Sequence, residues 1–222
     1  MKQIFDGVWQ DGRKLFTKNF VPGKKVYGEQ LVKKGKDEFR SWDHTRSKAA
    51  AAIAKGLKTF LLKEGQKILY LGASSGTTVS HVSDIVGENG IVYAVEISER
   101  SMRDLNILAE HRQNIVPILA NAKTPEDYSW VEPCDILYQD VATEDQSEIL
   151  IRNAEKFLKR DGFALLAIKS RSIDVTKEPK DVYKEELEKL KKVFEILEKM
   201  ELDPFEKDHL FVVLKIKNKG GV

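Results

Sequence analysis

The chain has 222 residues, 41% hydrophobic and 32% charged, enough for one full α/β core with a small appendage and too few for two large domains. Its 37 Lys and Arg nearly cancel its 35 Asp and Glu, and the formal net charge of +2 argues against a protein that grips nucleic acid unaided, because that affinity comes from phosphate neutralisation. The single cysteine, Cys134, excludes an intrachain disulfide; no apolar run nears the roughly eighteen residues of a membrane span and no signal-peptide pattern is present, so a cytoplasmic chain without membrane contact is expected.

In chain order, residues 1–45 carry short β-like runs at 5–9, 14–17 and 26–32 between turn signals at Asp11-Gly12, Pro22-Gly23 and Gly35-Lys36, and predict a small N-terminal β domain. From Arg46 the pattern is helical: Lys48-Ala49-Ala50-Ala51-Ala52-Ile53-Ala54 has high helix propensity, and Leu57, Phe60 and Leu61 continue an apolar face. Strands at 67–71, 91–95, 115–119, 135–139 and 163–168 then alternate with helices at 77–86, 99–111, 146–158 and 183–191. That alternation predicts an α/β domain over 46–222 with a mostly parallel sheet covered on both faces. Residues 193–202 fit either state, but Pro204 and the Lys207-Asp208 turn precede a clear strand at 210–216. A hairpin-like last pair would add an antiparallel edge, the pattern of a Rossmann-like, seven-stranded class I methyltransferase with an antiparallel last strand. The tail, 217–222 with Gly220-Gly221, is expected to fray.

The chemistry concentrates at one turn. Ile68-Leu69-Tyr70-Leu71 feeds Gly72-Ala73-Ser74-Ser75-Gly76, which opens into the helix beginning Thr77-Thr78. Small residues there let a ligand approach the backbone, and the free amides of the helix's first turn point at it. Glu96 ends the next apolar run at about the 20-residue spacing where an acidic side chain accepts ribose hydroxyls. The loop is neither G-x-G-x-x-G nor a Walker A loop, so a smaller adenosine ligand, S-adenosylmethionine, fits better than a pyrophosphate. An ordinary strand-to-helix turn uses the same small residues, and Glu96 is what favours a site.

Further blocks carry a resemblance. They are Val26-Tyr27-Gly28-Glu29-Gln30-Leu31-Val32, Arg46-Ser47-Lys48 with the Ala run, the cofactor loop through Asp84-Ile85-Val86-Gly87, and Tyr93-Ala94-Val95-Glu96. Asn114-Ile115-Val116-Pro117-Ile118, Asp140-Val141-Ala142, Ile168-Lys169 with Ile173-Asp174, and Asp208-His209 follow in order. Across nearly its whole length the chain resembles fibrillarin in its archaeal form, which lacks the glycine-arginine tail. It departs from that family's pattern at Asn121, usually Asp, at Thr143, usually Gln, and at 42–46, where the family's usual Asn-Pro-Phe is missing and the rim of the site is expected to differ.

The resemblance implies a 2′-O-ribose methyltransferase of box C/D ribonucleoproteins, acting on ribosomal and transfer RNA at positions chosen by a guide RNA. The implied partners are a coiled-coil scaffold protein of the Nop family and a kink-turn-binding, ribosomal-like protein. It implies a catalytic set of Lys48, Asp140, Lys169 and His209. The implied cofactor contacts are Gly72, Ala73, Gly76, Thr77 and Thr78 for the methionine end, Glu96 and Ile97 for the ribose, Asn121 and Ala122 for the adenine edge, and Asp140 through Val141, Ala142 and Thr143, with Asp140 facing the methionine amine.

Plainer roles exist for each. Lys48 could be solvated surface in a first helical turn, His209 could cap a strand, and His81 reads as a packing or hydrogen-bonding residue. Cys134, before an apolar run, reads as a buried structural thiol. His44 and His111 show no ligand spacing with any Cys or carboxylate cluster, so no metal is expected. A protein (glutamine) methyltransferase, a guide-independent RNA methyltransferase and a non-enzymatic particle subunit are the competing readings; Asp140 and Lys169 argue against the last.

Overall fold

A computed structural model describes residues 1–217. The first 42 residues form five strands, β1 (Lys2–Phe5), β2 (Val8–Asp11), β3 (Lys14–Lys18), β4 (Leu31–Lys34) and β5 (Asp37–Trp42), in an antiparallel sheet of order β1-β2-β3-β5-β4. The run expected at 5–9 is two strands, because Gly7 takes a left-handed φ of 68° and turns the chain between them. The run expected at 26–32 begins only at Leu31. Before it, the Glu29 carboxylate folds back to accept the amides of Val26 and Tyr27. β5 escaped the sequence reading because Asp37-Glu38-Phe39-Arg40 looks solvated. Arg40 is buried there through the partners described below, and Glu38 by accepting from the Asn19 side chain and the Gly23 amide.

The helix α1 (Lys48–Ala54) starts at an N-cap, Ser47, whose side chain accepts from the Ala50 amide. It stops at Ala54, just before Gly56 at φ 99°, so Leu57 and Phe60 reach the core from non-helical chain rather than extending the helix. Then come β6 (Lys67–Leu71), α2 (Thr77–Val86), β7 (Ile91–Glu96), α3 (Glu99–His111), β8 (Ile115–Leu119), a single 3-10 turn (Pro125–Tyr128), β9 (Cys134–Gln139), α4 (Gln146–Phe157), β10 (Leu158–Lys169), α5 (Ser170–Ile173), α6 (Pro179–Leu190), β11 (Phe194–Glu201) and β12 (His209–Ile216). α6 begins four residues before its expected start, with Pro179 in its first turn where a missing N–H costs nothing. β10 extends back to Leu158 across an irregular register between Leu158 and Phe163.

The second sheet has the order β11-β12-β10-β9-β6-β7-β8, seven strands. β12 is antiparallel to both β10 and β11, and the other pairings are parallel. The expected hairpin-like last pair closes this edge: β12, the last strand, is the antiparallel one and lies between β10 and the edge strand β11. Along each central strand the side chains alternate between two cores. Ile68 and Tyr70 join Val92, Ile136 and Phe211 under α1, α2 and α3; Leu69 and Leu71 join Val95, Leu137 and Leu166 under α4 and α6. Both faces are covered, which is why these strands read as continuous apolar runs. No helix among the described residues is long and apolar enough to cross a membrane. Within the expected tail, residues 218–222 lie outside the described range.

The two sheets meet through α2. Asp84, on its last turn, accepts from Arg112 (2.6 Å) and the Phe20 amide (2.9 Å) on one oxygen, and from Thr17 (2.6 Å) and Arg40 (2.8 Å) on the other. Arg40 also donates to Glu29 at 2.6 Å and to the Ser80 hydroxyl at 2.9 Å. Two buried cations thus face two buried carboxylates, which is how so much charge is tolerated in the interior. His81 lies between them with Trp42 stacked on its ring at 5.0 Å, Thr17 2.7 Å from Nδ1 and the Tyr27 hydroxyl 2.7 Å from Nε2. Burial, reinforced by Arg40 and Arg112, holds the His81 pKa well below its usual value. With the Thr17 proton committed to Asp84, neutral His81 donates from Nδ1 to Thr17, the hydrogen-bonding role expected for it; its Nε2 faces the Tyr27 hydroxyl, which also lies 3.0 Å from the Ser41 carbonyl.

Candidate active site

The carboxyl ends of β6, β7, β9 and β10 lie together where the sheet's connections change direction, β6 leading outward to β7 and β9 to β10. Open α/β sheets bind ligands at such a crevice. A cavity of about 340 Å³ opens there, lined by Gly72, Glu96, Ile97, Asn121, Ala122, Asp140, Val141, Ala142, Thr143 and Lys169 of the expected residues. Ser74, Val95, Ala120, Lys123 and Ile149 complete the wall. Ala73, Gly76, Thr77, Thr78, Lys48 and His209 are not in that lining. A larger groove, about 580 Å³, runs between α6 and β11 among lysines such as Lys180 and Lys184 and holds none of the expected residues. The chemistry therefore favours the smaller cavity as the candidate site.

The loop is shaped for close approach. Gly72 sits at φ 83°, and a Cβ there would come within 2.8 Å of the Asp140 carbonyl oxygen, so only glycine lets the end of β6 lie against the Asp140 backbone. Gly76 caps α2 at φ 92°, where a Cβ would meet Leu108 at 2.4 Å. The first amides of α2, at Thr77 and Thr78, have no intrahelical acceptor. The Thr78 hydroxyl, however, donates to Ser47 at 3.0 Å; it ties α2 to the cap of α1, the helix that presents Lys48. Glu96, nearly buried, accepts the Ser74 amide (2.7 Å) on one oxygen and the Ser98 amide (2.8 Å) on the other. It braces the loop while lining the cavity, and each oxygen keeps a second lone pair for a ligand hydroxyl. Ser74 itself holds a left-handed φ of 51°, a strain located at this brace.

On the opposite wall, Asn121 Oδ1 accepts the Lys123 amide at 3.0 Å, which leaves its Nδ2 as a donor, while the Ala122 carbonyl is held by Asn153 at 2.9 Å. Lys123 reaches across to Asp145 at 2.9 Å. The Thr143 hydroxyl is buried beside Asp145, and the residue closes this wall of the cavity. The donor and acceptor set, the glycine approach and a volume within the roughly 300–1,000 Å³ of small-molecule sites fit an adenosine-bearing ligand such as S-adenosylmethionine.

Where the cavity meets the surface, Asp140 stands between two lysines. Lys169 Nζ is 2.9 Å from Asp140 Oδ1 and donates to the Asp140 carbonyl at 2.9 Å, so its contact with the carboxylate is an ion pair rather than an aligned hydrogen bond. Lys48 Nζ is 3.4 Å from Oδ2 and 4.0 Å from Glu206, an acidic neighbour the sequence reading missed. Glu206 follows Phe205, against whose ring His44 packs at 4.3 Å, which places the unusual 42–46 segment beside the site. His209 opens β12 directly opposite Lys169 in the ladder. Its Nδ1 lies 2.7 Å from the Lys207 carbonyl, a contact in which Nδ1 donates. Lys48, Asp140 and Lys169 thus form one contiguous cluster, with His209 beside Lys169 and off Asp140. Cys134 is remote, and burial pushes its thiol up to about 12, the structural role expected.

A sequence model described as Fibrillarin matches residues 1–218. Among characterised relatives, the fibrillarin-like rRNA/tRNA 2′-O-methyltransferase of Pyrococcus furiosus is 51% identical over 221 residues, spanning 96% of this chain and 97% of its own. Three solved structures align closely. They are a Methanococcus jannaschii fibrillarin pre-rRNA processing protein (TM-score 0.93, 48% identity, 98% of this chain and 97% of that one), an Aeropyrum pernix fibrillarin with natively bound S-adenosyl-L-methionine (0.85, 49%, 90% and 88%) and a fibrillarin/Nop5p complex (0.88, 42%, 96% and 98%). With a cavity built for an adenosine ligand, a lysine-flanked carboxylate at its mouth and this likeness along its length, the chain belongs to the fibrillarin family.

Proposed function

We propose that this protein is the catalytic subunit of a box C/D ribonucleoprotein, methylating the ribose 2′-hydroxyl of ribosomal and transfer RNA at positions selected by a guide RNA. The observation that carries the reading is Asp140 held between Lys48 and Lys169 at the mouth of the cofactor cavity. When bound, S-adenosylmethionine supplies an electrophilic methyl group. Gly72, Glu96, Asn121, Ala122 and Thr143 are the residues that would hold it. Asp140 accepts the hydrogen bond of the ribose hydroxyl, orients it and takes its proton as the new O–C bond forms and the methyl–sulfur bond breaks. Lys169, which spends one donor on the Asp140 carbonyl and pairs by charge with its carboxylate, keeps N–H capacity for the oxygen as its proton leaves; Lys48 adds a second positive charge to the same oxyanion. Holding the oxygen in line is most of the remaining work.

The near-neutral surface supports delegation of RNA binding. A scaffold of the Nop family is the partner suggested by the fibrillarin/Nop5p complex. A guide RNA and a kink-turn-binding protein complete the assembly we propose. Within the chain, we propose residues 1–45 as a small β unit and 46–222 as the methyltransferase unit. The test is methyl transfer to a target RNA, with alkaline hydrolysis of the product. The account expects one alkali-resistant linkage, moving when the guide sequence is changed and absent without guide or scaffold. Site-specific methylation by the chain alone would make it guide-independent, and label in protein glutamine would overturn the RNA reading.

A further inference from the structure

β9 and β10 run side by side as far as Gln139 and Leu166, and then part. At Asp140 the chain leans toward β6, its amide bonding the Leu71 carbonyl at 2.9 Å. β10 continues to Lys169, whose neighbour Ser170 bonds Asp208 on the β12 side at 3.2 Å. By the alternation of a strand, the peptide groups of Lys169 therefore face the space β9 has vacated. Gln146, the first residue of α4 and fully buried, fills it. Its Oε1 accepts the Lys169 amide at 3.0 Å and its Nε2 donates to the Lys169 carbonyl at 3.3 Å, so a side-chain carboxamide does what a peptide group of β9 would have done. The same Nε2 donates to the Thr143 carbonyl at 2.8 Å, and the Gln146 carbonyl accepts from buried Gln139 at 2.7 Å.

We propose that Gln146 is a positioning residue for methyl transfer: it locks the backbone of Lys169 to the Asp140–Thr143 wall of the cofactor cavity, so that ammonium and cofactor keep one fixed geometry. Gln146 touches neither reacting group and acts through Lys169. The inference rests on the methyltransferase reading, but it has a test that does not. A hydrophobic residue of the same length would fill the space without pairing, and the loss would fall on the register of Lys169 rather than on the fold.

The experiment is a double-mutant cycle of Gln146→Met and Lys169→Ala in the reconstituted particle, read by single-turnover methyl transfer, with amide hydrogen exchange at Lys169 as the second readout. Gln146→Met should slow transfer by about tenfold or more while cofactor affinity changes less than about threefold; in the Lys169→Ala background it should add less than about twofold, because residues acting as a unit are not additive. The Lys169 amide, protected in the wild type, should exchange rapidly in Gln146→Met while Ile168 stays protected. Independent, multiplicative effects, or a Lys169 amide as protected as in the wild type, would overturn the proposal. Should the wild-type particle transfer no methyl group, the function reading falls, and the exchange result still decides this one. If Gln146→Met does not fold, Gln146→Asn, one methylene too short to span both carbonyls, enters the same cycle.

Discussion

At Glu96 one carboxylate has two tasks, bracing the backbone amides of Ser74 and Ser98 and, in the function we propose, holding a ligand in the cavity it lines. Replacing it with Ala would remove both at once, so Glu96→Gln is the milder variant: it keeps the size and one acceptor oxygen and turns the other into an NH2 donor. Calorimetry should show S-adenosylmethionine binding loosened by about 1–3 kcal/mol, the usual range for a lost hydrogen bond to a charged acceptor. Unchanged affinity would remove Glu96 from the ribose site. The position of Glu96 was legible from its spacing after the glycine loop, because strand, turn, helix and strand fix that distance. Its grip on Ser74 was not, and neither was the redirection of the Thr78 hydroxyl to Ser47. Both depend on which segments distant in sequence come to lie alongside, α1 against α2 in the second case.

At the scale of elements, α2 offers the cofactor loop from one end and is gripped by the N-terminal sheet at the other. The grip is an ionic network around Asp84 that no residue type or spacing announced; Arg40, in a strand that reads as solvated, and Arg112, at the end of α3, become neighbours only in the fold. Removing one partner of such a network leaves buried charge uncompensated, and Asp84→Ala should lower unfolding free energy by roughly 3–5 kcal/mol. Urea denaturation measures it; a loss below about 1 kcal/mol, the worth of a surface pair, would show that the network is not closed to solvent. His81 makes a pH test of the same junction. Its folded pKa lies far below the value of 6.5 it regains on unfolding, so between those values the unfolded chain binds the extra proton. Stability is full above about 6.5 and falls as pH drops below it, at up to about 1.4 kcal/mol per pH unit. Measured from pH 6.5 to 5, before the carboxylates titrate, that slope should be present in the wild type and absent in His81→Gln. An equal slope in both would mean that another group carries it.

For the whole molecule, the alternation of apolar strands and amphipathic helices made the parallel sheet readable from residue 67 onward, since each element's pattern depends on its own face alone. The place of the last strand was less readable. β12 is as apolar as the central strands because it is one, with β10 and β11 on either side, whereas β11 exposes Glu195, Leu197, Lys199 and Glu201, mostly charged as an exposed edge is. The charge balance carries a further expectation: alone, the chain should bind single-stranded RNA weakly and without sequence preference. Filter binding at near-physiological salt tests this, and tight sequence-selective binding would remove the need for a guide. The central claim is that the Lys169–Asp140–Lys48 cluster performs the transfer, and the most direct measurement is the single-turnover rate of Lys169→Ala in the assembled particle at saturating cofactor. The account predicts a fall of about a hundredfold or more with cofactor binding retained, and a rate within about twofold of wild type would contradict it.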